Sequence, residues 1–273
     1  MSGIAESLFA TLFPSDCRLC GSPLVNISRL PVCEECLSAV RPIPGGVCFL
    51  CGERLVSDFA LAKGPSEARC GVCQQEAPPF ERALAYGSYE GGLRDLIHLL
   101  KYEGVRPASN VLGRMLAEVI AELEPGFSGP VSVVPVPLHR RKQRERGFNQ
   151  SEMIACAALK LMKAERLSLQ PELLERRRET PSQIGLTQNQ RRENLRGAFV
   201  ALQPQKLAGR EVLLIDDVLT TGTTAAECTR VLRRAGASRV WVATVARTLK
   251  HNTAFAEPAF KEEDEKIAMA AHG

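Results

Sequence analysis

The residues of this chain best suited to chemistry are two adjacent aspartates and a threonine-rich turn: Asp216-Asp217-Val218-Leu219-Thr220-Thr221-Gly222-Thr223-Thr224. The apolar run Val212-Leu213-Leu214-Ile215 before them has the character of a buried strand, and Ala225 to Gly236 reads as a helix that Gly236 stops. A turn of this kind offers hydroxyls and backbone N–H groups at a helix N-terminus, where the dipole favours an anion. Thr220, Thr221, Gly222, Thr223 and Thr224 are therefore a candidate phosphate cradle. Carboxylates repel phosphate, so Asp216 and Asp217 need another partner. The vicinal hydroxyls of a ribose are donors that two carboxylates accept. Strand, acid pair and cradle together read as a site for ribose 5-phosphate, with Asp216 and Asp217 as its candidate catalytic residues. A nucleotide-binding or receiver-like α/β domain with an acidic strand end is the competing reading.

Eight of the ten cysteines form four Cys-x-x-Cys knuckles: Cys17/Cys20, Cys33/Cys36, Cys48/Cys51 and Cys70/Cys73. Two thiolates at this spacing bind one tetrahedral ion, and two knuckles complete a Cys₄ site. Taken in order, Cys17, Cys20, Cys33 and Cys36 make one Zn²⁺ ribbon and Cys48, Cys51, Cys70 and Cys73 a second, so one or two structural zinc sites are expected. Disulfides or redox pairs are the alternative. Cys156 and Cys228 lie in apolar helical surroundings and read as small core residues.

Positive charge concentrates in Arg140, Arg141, Lys142, Arg144 and Arg146, followed by Gly147-Phe148-Asn149-Gln150. Coming directly after the apolar run Val131 to Pro137, this stretch reads as a loop able to hold a pyrophosphate, with Arg140, Arg144, Arg146, Gly147, Asn149 and Gln150 as binding residues. A basic surface for nucleic acid is the alternative. A second basic stretch, Arg176, Arg177 and Arg178 with Arg191 and Arg192 further on, leads into and lies along a segment 177–196 too polar for a core. That segment is expected to be a long mobile loop closing over the sugar, with Arg178 among the binding residues.

These groups need elements to position them. The first 79 residues hold all the knuckles, much Gly and Pro, and too little apolar sequence for a core of their own, so metal would supply the missing constraint. Pro78-Pro79 marks a boundary. Residues 80–250 follow as an α/β domain: a strand or hairpin arm at Arg82–Tyr89, helices at 93–102 and 109–123, and a strand at Val131–Pro137. A helix at Ser151–Lys163, a second strand beginning at Leu173–Arg176, and strands at Glu211–Ile215 and Arg239–Ala246 complete it. This βαβ order implies a parallel sheet with ligands at the C-terminal strand ends. Residues 1–13 read as a short amphipathic helix, and 251–273 as a flexible charged tail. The net charge of +4, the single Trp and the absence of any long apolar run point to a soluble globular protein with no membrane span and a cytoplasmic location.

Several motifs occur in order: the knuckles, Leu96-Ile97-His98-Leu99-Leu100-Lys101-Tyr102, Arg146-Gly147-Phe148-Asn149-Gln150, Thr180-Pro181-Ser182-Gln183 to Arg191-Arg192-Glu193-Asn194-Leu195, and the thirteen-residue run Val212 to Thr224. That last run resembles the 5-phosphoribosyl pyrophosphate (PRPP) signature of type I phosphoribosyltransferases. Together the motifs resemble the ComF family of competence-associated proteins over about Cys17 to Leu249. The resemblance implies a double zinc-ribbon module fused to a type I phosphoribosyltransferase domain, a parallel sheet flanked by helices with a hood at about 81–130. It implies zinc at the eight knuckle cysteines, PRPP with Mg²⁺ at Asp216 to Thr224 and the basic loop, and Lys101 among the substrate-binding residues. The acceptor of such a transferase is not named by the sequence. Single-stranded DNA and other competence proteins are the implied partners, and a non-catalytic PRPP-sensing or DNA-handling role, with the ribbons as contact surface, is the alternative function.

Overall fold

A computed structural model of the chain describes residues 15–24, 28–55, 64, 67–162, 165–180 and 188–249. The expected N-terminal helix, most of the Thr180–Gln183 motif and the charged tail lie outside the described residues. Strands β1 (Ala83–Ser88), β2 (Val131–Pro135), β3 (Leu167–Leu169), β6 (Glu211–Leu219) and β7 (Arg239–Arg247) form one sheet in the order β1-β7-β6-β2-β3. Every pairing in it is parallel, as the alternation of strands and helices requires. The central strands are apolar on both faces, so the sheet must be covered on both.

On one face lie α3 (Gly91–Lys101), α4 (Ala108–Leu123) and α6 (Gln150–Leu161). Leu112, Leu116, Val119, Ile120 and Leu123 place the buried stripe of α4 at helical spacing against Leu213 and Ile215 of β6. Each such leucine contributes roughly 1.5–3 kcal/mol on full burial. The opposite face is covered by α9 (Thr223–Arg234) and a separate antiparallel pair, β4 (Leu174–Arg176) with β5 (Phe199–Ala201), around Val212, Leu214, Cys228 and Leu232. Short helices α1 (Glu34–Ala39) and α2 (Gly71–Gln75) start within the second and fourth knuckles, after Cys33 and Cys70, and contain Cys36 and Cys73. Three more helices, α5 (Arg140–Arg146), α7 (Gln188–Leu195) and α8 (Pro204–Leu207), connect the strands. Among the described residues no helix is long and apolar enough to cross a membrane.

Four expectations are corrected. The strand expected from Leu173–Arg176 belongs to the antiparallel pair, and the neighbour of β2 is β3. The basic stretch expected as a loop is mostly helix α5, ended by the left-handed Gly147. The segment 177–196 contains helix α7. Cys156 is only partly buried, whereas Cys228 is in the core as expected.

Candidate sugar-phosphate site and cysteine clusters

Strand β6 outlasts its neighbour β2. Their pairing ends at Pro135 opposite Ile215, while β6 continues along β7 to Leu219 opposite Arg247. Asp216 and Asp217 therefore lie within the strand, not beyond its end, on the stretch where the β2 edge has fallen away. Strand alternation separates them: Asp217 follows Leu213 and Ile215, and Asp216 follows Val212 and Leu214. Asp217 is buried and ion-paired with Lys101 at the C-terminal end of α3. Asp216 accepts hydrogen bonds from the Ser151 hydroxyl (3.1 Å) and the Asp217 N–H (2.9 Å).

The electrostatics drive the two carboxyls apart. Burial and the neighbouring Asp217 charge push Asp216 up to about 8. Burial acts on Asp217 in the same direction, but the Lys101 ammonium outweighs it and holds Asp217 below the ordinary carboxylate range. Lys101 in turn is penalised by burial and more than compensated by Asp217, so it titrates above its ordinary value. Of the acid pair, Asp216 is thus the member that more readily carries a proton and Asp217 the member held as an anion.

The cradle follows at once. Gly222 adopts φ 76° as the residue preceding α9, a left-handed conformation that glycine takes at little cost, and no side chain caps the helix. The Thr221 and Thr223 hydroxyls are hydrogen-bonded at 2.8 Å, Thr223 is buried, and Thr220 and Thr221 are exposed. Thr224 follows in the first turn of α9, partly buried. An uncapped helix start behind three hydroxyls is a ready anion site.

The other expected substrate-binding residues divide. Asn149 caps α6, its Oδ1 accepting from the Ser151 N–H (3.0 Å) and its Nδ2 donating to the Val136 carbonyl (3.0 Å), so it fixes the turn after β2. Gln150 is buried and accepts from Arg146 at 2.5 Å. Arg146 also lies 5.7 Å over the Tyr102 ring. Arg140 pairs with Glu175 (2.8 Å), and Arg144 is exposed on α5. Arg178 donates to the carbonyls of Asn194 and Arg196, which holds the end of α7 in place. The side chains of Arg191 and Arg192 lie outside the described residues. Ser151 was missed by sequence reasoning: nothing local reveals that this helix start meets a strand 65 residues away.

The knuckles assemble in the expected order. Cys17, Cys20, Cys33 and Cys36 form one group, and Cys48, Cys51, Cys70 and Cys73 another, with the sulfurs of each within 4.8 Å of one another. Cys20 and Cys33 are 3.7 Å apart, as are Cys51 and Cys70. Four thiolates at about 2.3 Å from a zinc ion have edges of about 3.8 Å, so both groups fit the ion. Backbone N–H groups of Cys33 and Cys36 donate to the sulfurs of Cys17 and Cys33. In the second group, hydrogen bonding from Cys51 pulls Cys48 far down while Cys48 pushes Cys73 far up. Four thiols this crowded do not ionise together without a cation. Cys17, Leu30, Val32 and Val40 join the main core, whereas the second group has a small cluster of its own with Leu55 and Ala68.

Comparison with known proteins agrees with this geometry. The phosphoribosyl transferase domain family matches residues 166–267. The DNA utilization protein YhgH of Escherichia coli (strain K12) is 34% identical over 86% of this chain and 98% of its own length. Competence protein F of Haemophilus influenzae is 28% identical over 82% of this chain and 93% of its own. Competence protein ComFC of Bacillus subtilis is 25% identical over 72% and 77%. With its parallel sheet, its acid pair before an uncapped threonine turn, and its two Cys₄ groups ahead of that sheet, the chain belongs to the ComF family and carries the type I phosphoribosyltransferase fold.

Proposed function

We propose that this protein binds PRPP at the end of β6 and transfers its phosphoribosyl group to an acceptor. The observation that carries the reading is the conjunction of the uncapped cradle Thr220–Thr224 with an acid pair directly before it, Asp217 paired with Lys101 and Asp216 bonded to Ser151. The cradle takes the 5-phosphate. Asp216, adjoining the open edge of β6, accepts from the ribose hydroxyls, and Lys101 keeps Asp217 anionic beneath the sugar. In the transfer, an acceptor lone pair forms a bond to C1 as the C1–O bond breaks and its electron pair leaves on pyrophosphate. The acceptor's proton passes to water, while Asp216, which holds a proton more tightly than an ordinary carboxyl, releases it as the ribose engages it. Developing positive charge at C1 lies near the Asp217 anion. The donor chemistry fits Mg²⁺, since the Asp216 carboxylate is a hard oxygen ligand of the kind it takes beside phosphates, and when bound it neutralises charge on the leaving pyrophosphate.

Calorimetric titration of zinc-loaded protein with PRPP, with and without Mg²⁺, tests the reading. Micromolar binding that Asp216→Asn abolishes supports it. The isosteric amide keeps an acceptor oxygen for the Ser151 hydroxyl and the Asp217 N–H, which leaves the fold intact. Equal affinity in the variant removes Asp216 from the site.

A second reading, a DNA-handling competence factor, rests on the names of the relatives and on one surface. Helix α5 has no buried residue, and beside it Tyr102 is 70% exposed under Arg146. Such a basic and aromatic surface suits single-stranded nucleic acid, and binding that weakens steeply with salt and with Tyr102→Ala is its signature.

A further inference from the structure

A cavity of about 520 Å³ lies between the second cysteine cluster and the cradle. Thr220 to Thr223 form one wall, and the knuckle Cys70–Cys73 with Val72 forms the facing one. Pro78, Pro79, Phe80 and Leu249 line much of the remainder. This is far more room than a phosphate needs, and it falls within the usual range of small-molecule sites.

The ribbon wall is built into the fold. The guanidinium of Arg247, at the end of β7, donates to the Cys51 carbonyl (2.7 Å) and pairs with Glu53 (2.7 Å). Both members of that ion pair are under a tenth exposed. The Ala83 N–H of β1 donates to the Leu50 carbonyl at 2.8 Å. Gly52, at φ 70°, sits where a Cβ would come within 2.9 Å of the Ala83 carbonyl, so only glycine allows this approach of knuckle to sheet. On the far side the Thr248 N–H donates to Leu219, the residue before the cradle. One continuous set of contacts therefore runs from the second cluster to the phosphate turn.

The position of this space matters chemically. Across the sheet, β2 and the basic helix that follows it lie on one side of β6, while the cavity lies on the other, at the end of β7. A nucleophile displacing a leaving group from C1 enters opposite to it. With pyrophosphate toward the β2 side, the acceptor comes from the β7 side. The lining also selects. Its apolar part is extensive, Arg247 is neutralised by Glu53, and Arg230 pairs with Glu227 at 3.4 Å.

We propose that this cavity is the acceptor site, and that the second Cys₄ ribbon, not the region 81–130, is its specificity-determining wall. Its guest is a small, uncharged nitrogen nucleophile, for which nucleobases are the probes. The inference rests on the PRPP reading above. The test uses full-length, zinc-loaded protein saturated with PRPP and Mg²⁺, to which adenine, guanine, hypoxanthine and uracil are added singly and followed by saturation-transfer NMR. At least one base binds the wild type. Val72→Trp and, from the opposite wall, Leu249→Trp each fill the space without altering a cysteine or a cradle residue. Either weakens base binding about tenfold or more, while PRPP affinity and zinc content stay within about twofold of wild type. Binding of no base to the PRPP complex, or binding unchanged in both folded variants, overturns the proposal. A wild type that fails to bind PRPP overturns instead the reading on which it rests, and the PRPP titration shows which has failed.

Discussion

Replacing Lys101 by Met tests whether the acid pair is organised as described. The Lys101 and Asp217 side chains are 15% and 6% exposed, so the substitution leaves a carboxylate buried without its cation. Breaking one side of a buried pair costs about 3–5 kcal/mol. For a domain of this size each kcal/mol shifts the melting temperature by about 2–4 °C, so a fall of roughly 6–20 °C is expected at pH 7. The pH dependence carries the sign. In the wild type the lowered Asp217 value means that its stabilisation is present above the ordinary carboxylate pKa and is lost as pH falls through the depressed folded value. The raised Lys101 value means that its contribution is present below the ordinary lysine pKa and is lost as pH rises through the folded one. In Lys101→Met, Asp217 prefers to be protonated, so the deficit shrinks on moving from pH 7 to pH 5. Adding Asp217→Asn to Lys101→Met removes the orphaned charge and recovers most of the loss, and the double-mutant cycle reports the coupling. Thermal melts at both pH values supply the readout. A melting temperature for Lys101→Met within about 2 °C of wild type at pH 7, or a double variant no better than the single, refutes the argument.

Two further outcomes follow from the same geometry. Asp216 titrates near 8 in the free protein, so Mg²⁺ and PRPP that engage its ionised form release close to one proton at pH 7 and bind more tightly as pH rises toward 8. Calorimetry in buffers of different ionisation enthalpy measures that release, and none at all would count against Asp216 as the ribose and metal ligand. Cys33→Ser with Cys36→Ser removes one zinc ion and lowers stability substantially, because Cys17, Leu30 and Val32 of that group lie in the main core. Retention of both ions on metal analysis would show that the knuckles are not paired in order.

What local chemistry can encode was legible in the sequence. In the run from Val212 to Thr224 the order strand, turn, helix is as read, because an apolar strand, a left-handed glycine and a helix start are each specified within a few residues. The strand, however, runs on through the acid pair to Leu219 and does not stop at Ile215. The knuckles pair in order because short Cys-x-x-Cys turns prefigure their own geometry. The three-residue strands β3 and β4 are of the same length, and which of them joins the main sheet depends on partners far along the chain, so Leu174–Arg176 was misplaced. Helix α5 lacks any apolar stripe, and without periodicity its seven residues looked like loop.

The site divides along the same line. Residue type and spacing identified Asp216, Asp217 and the threonines, since phosphate and ribose chemistry demands those groups in sequence. Only the tertiary structure decided their states: Lys101 reaches Asp217 and Ser151 reaches Asp216 from separate helices, and burial then sets their charges. It also brought Cys51 and Glu53 to Arg247, nearly two hundred residues away, and so placed a ribbon against the phosphate turn. The strength of an ion pair, the pKa of a carboxyl and the shape of a cavity are properties of what surrounds a group in space, and the linear chain specifies that surrounding only once it has folded.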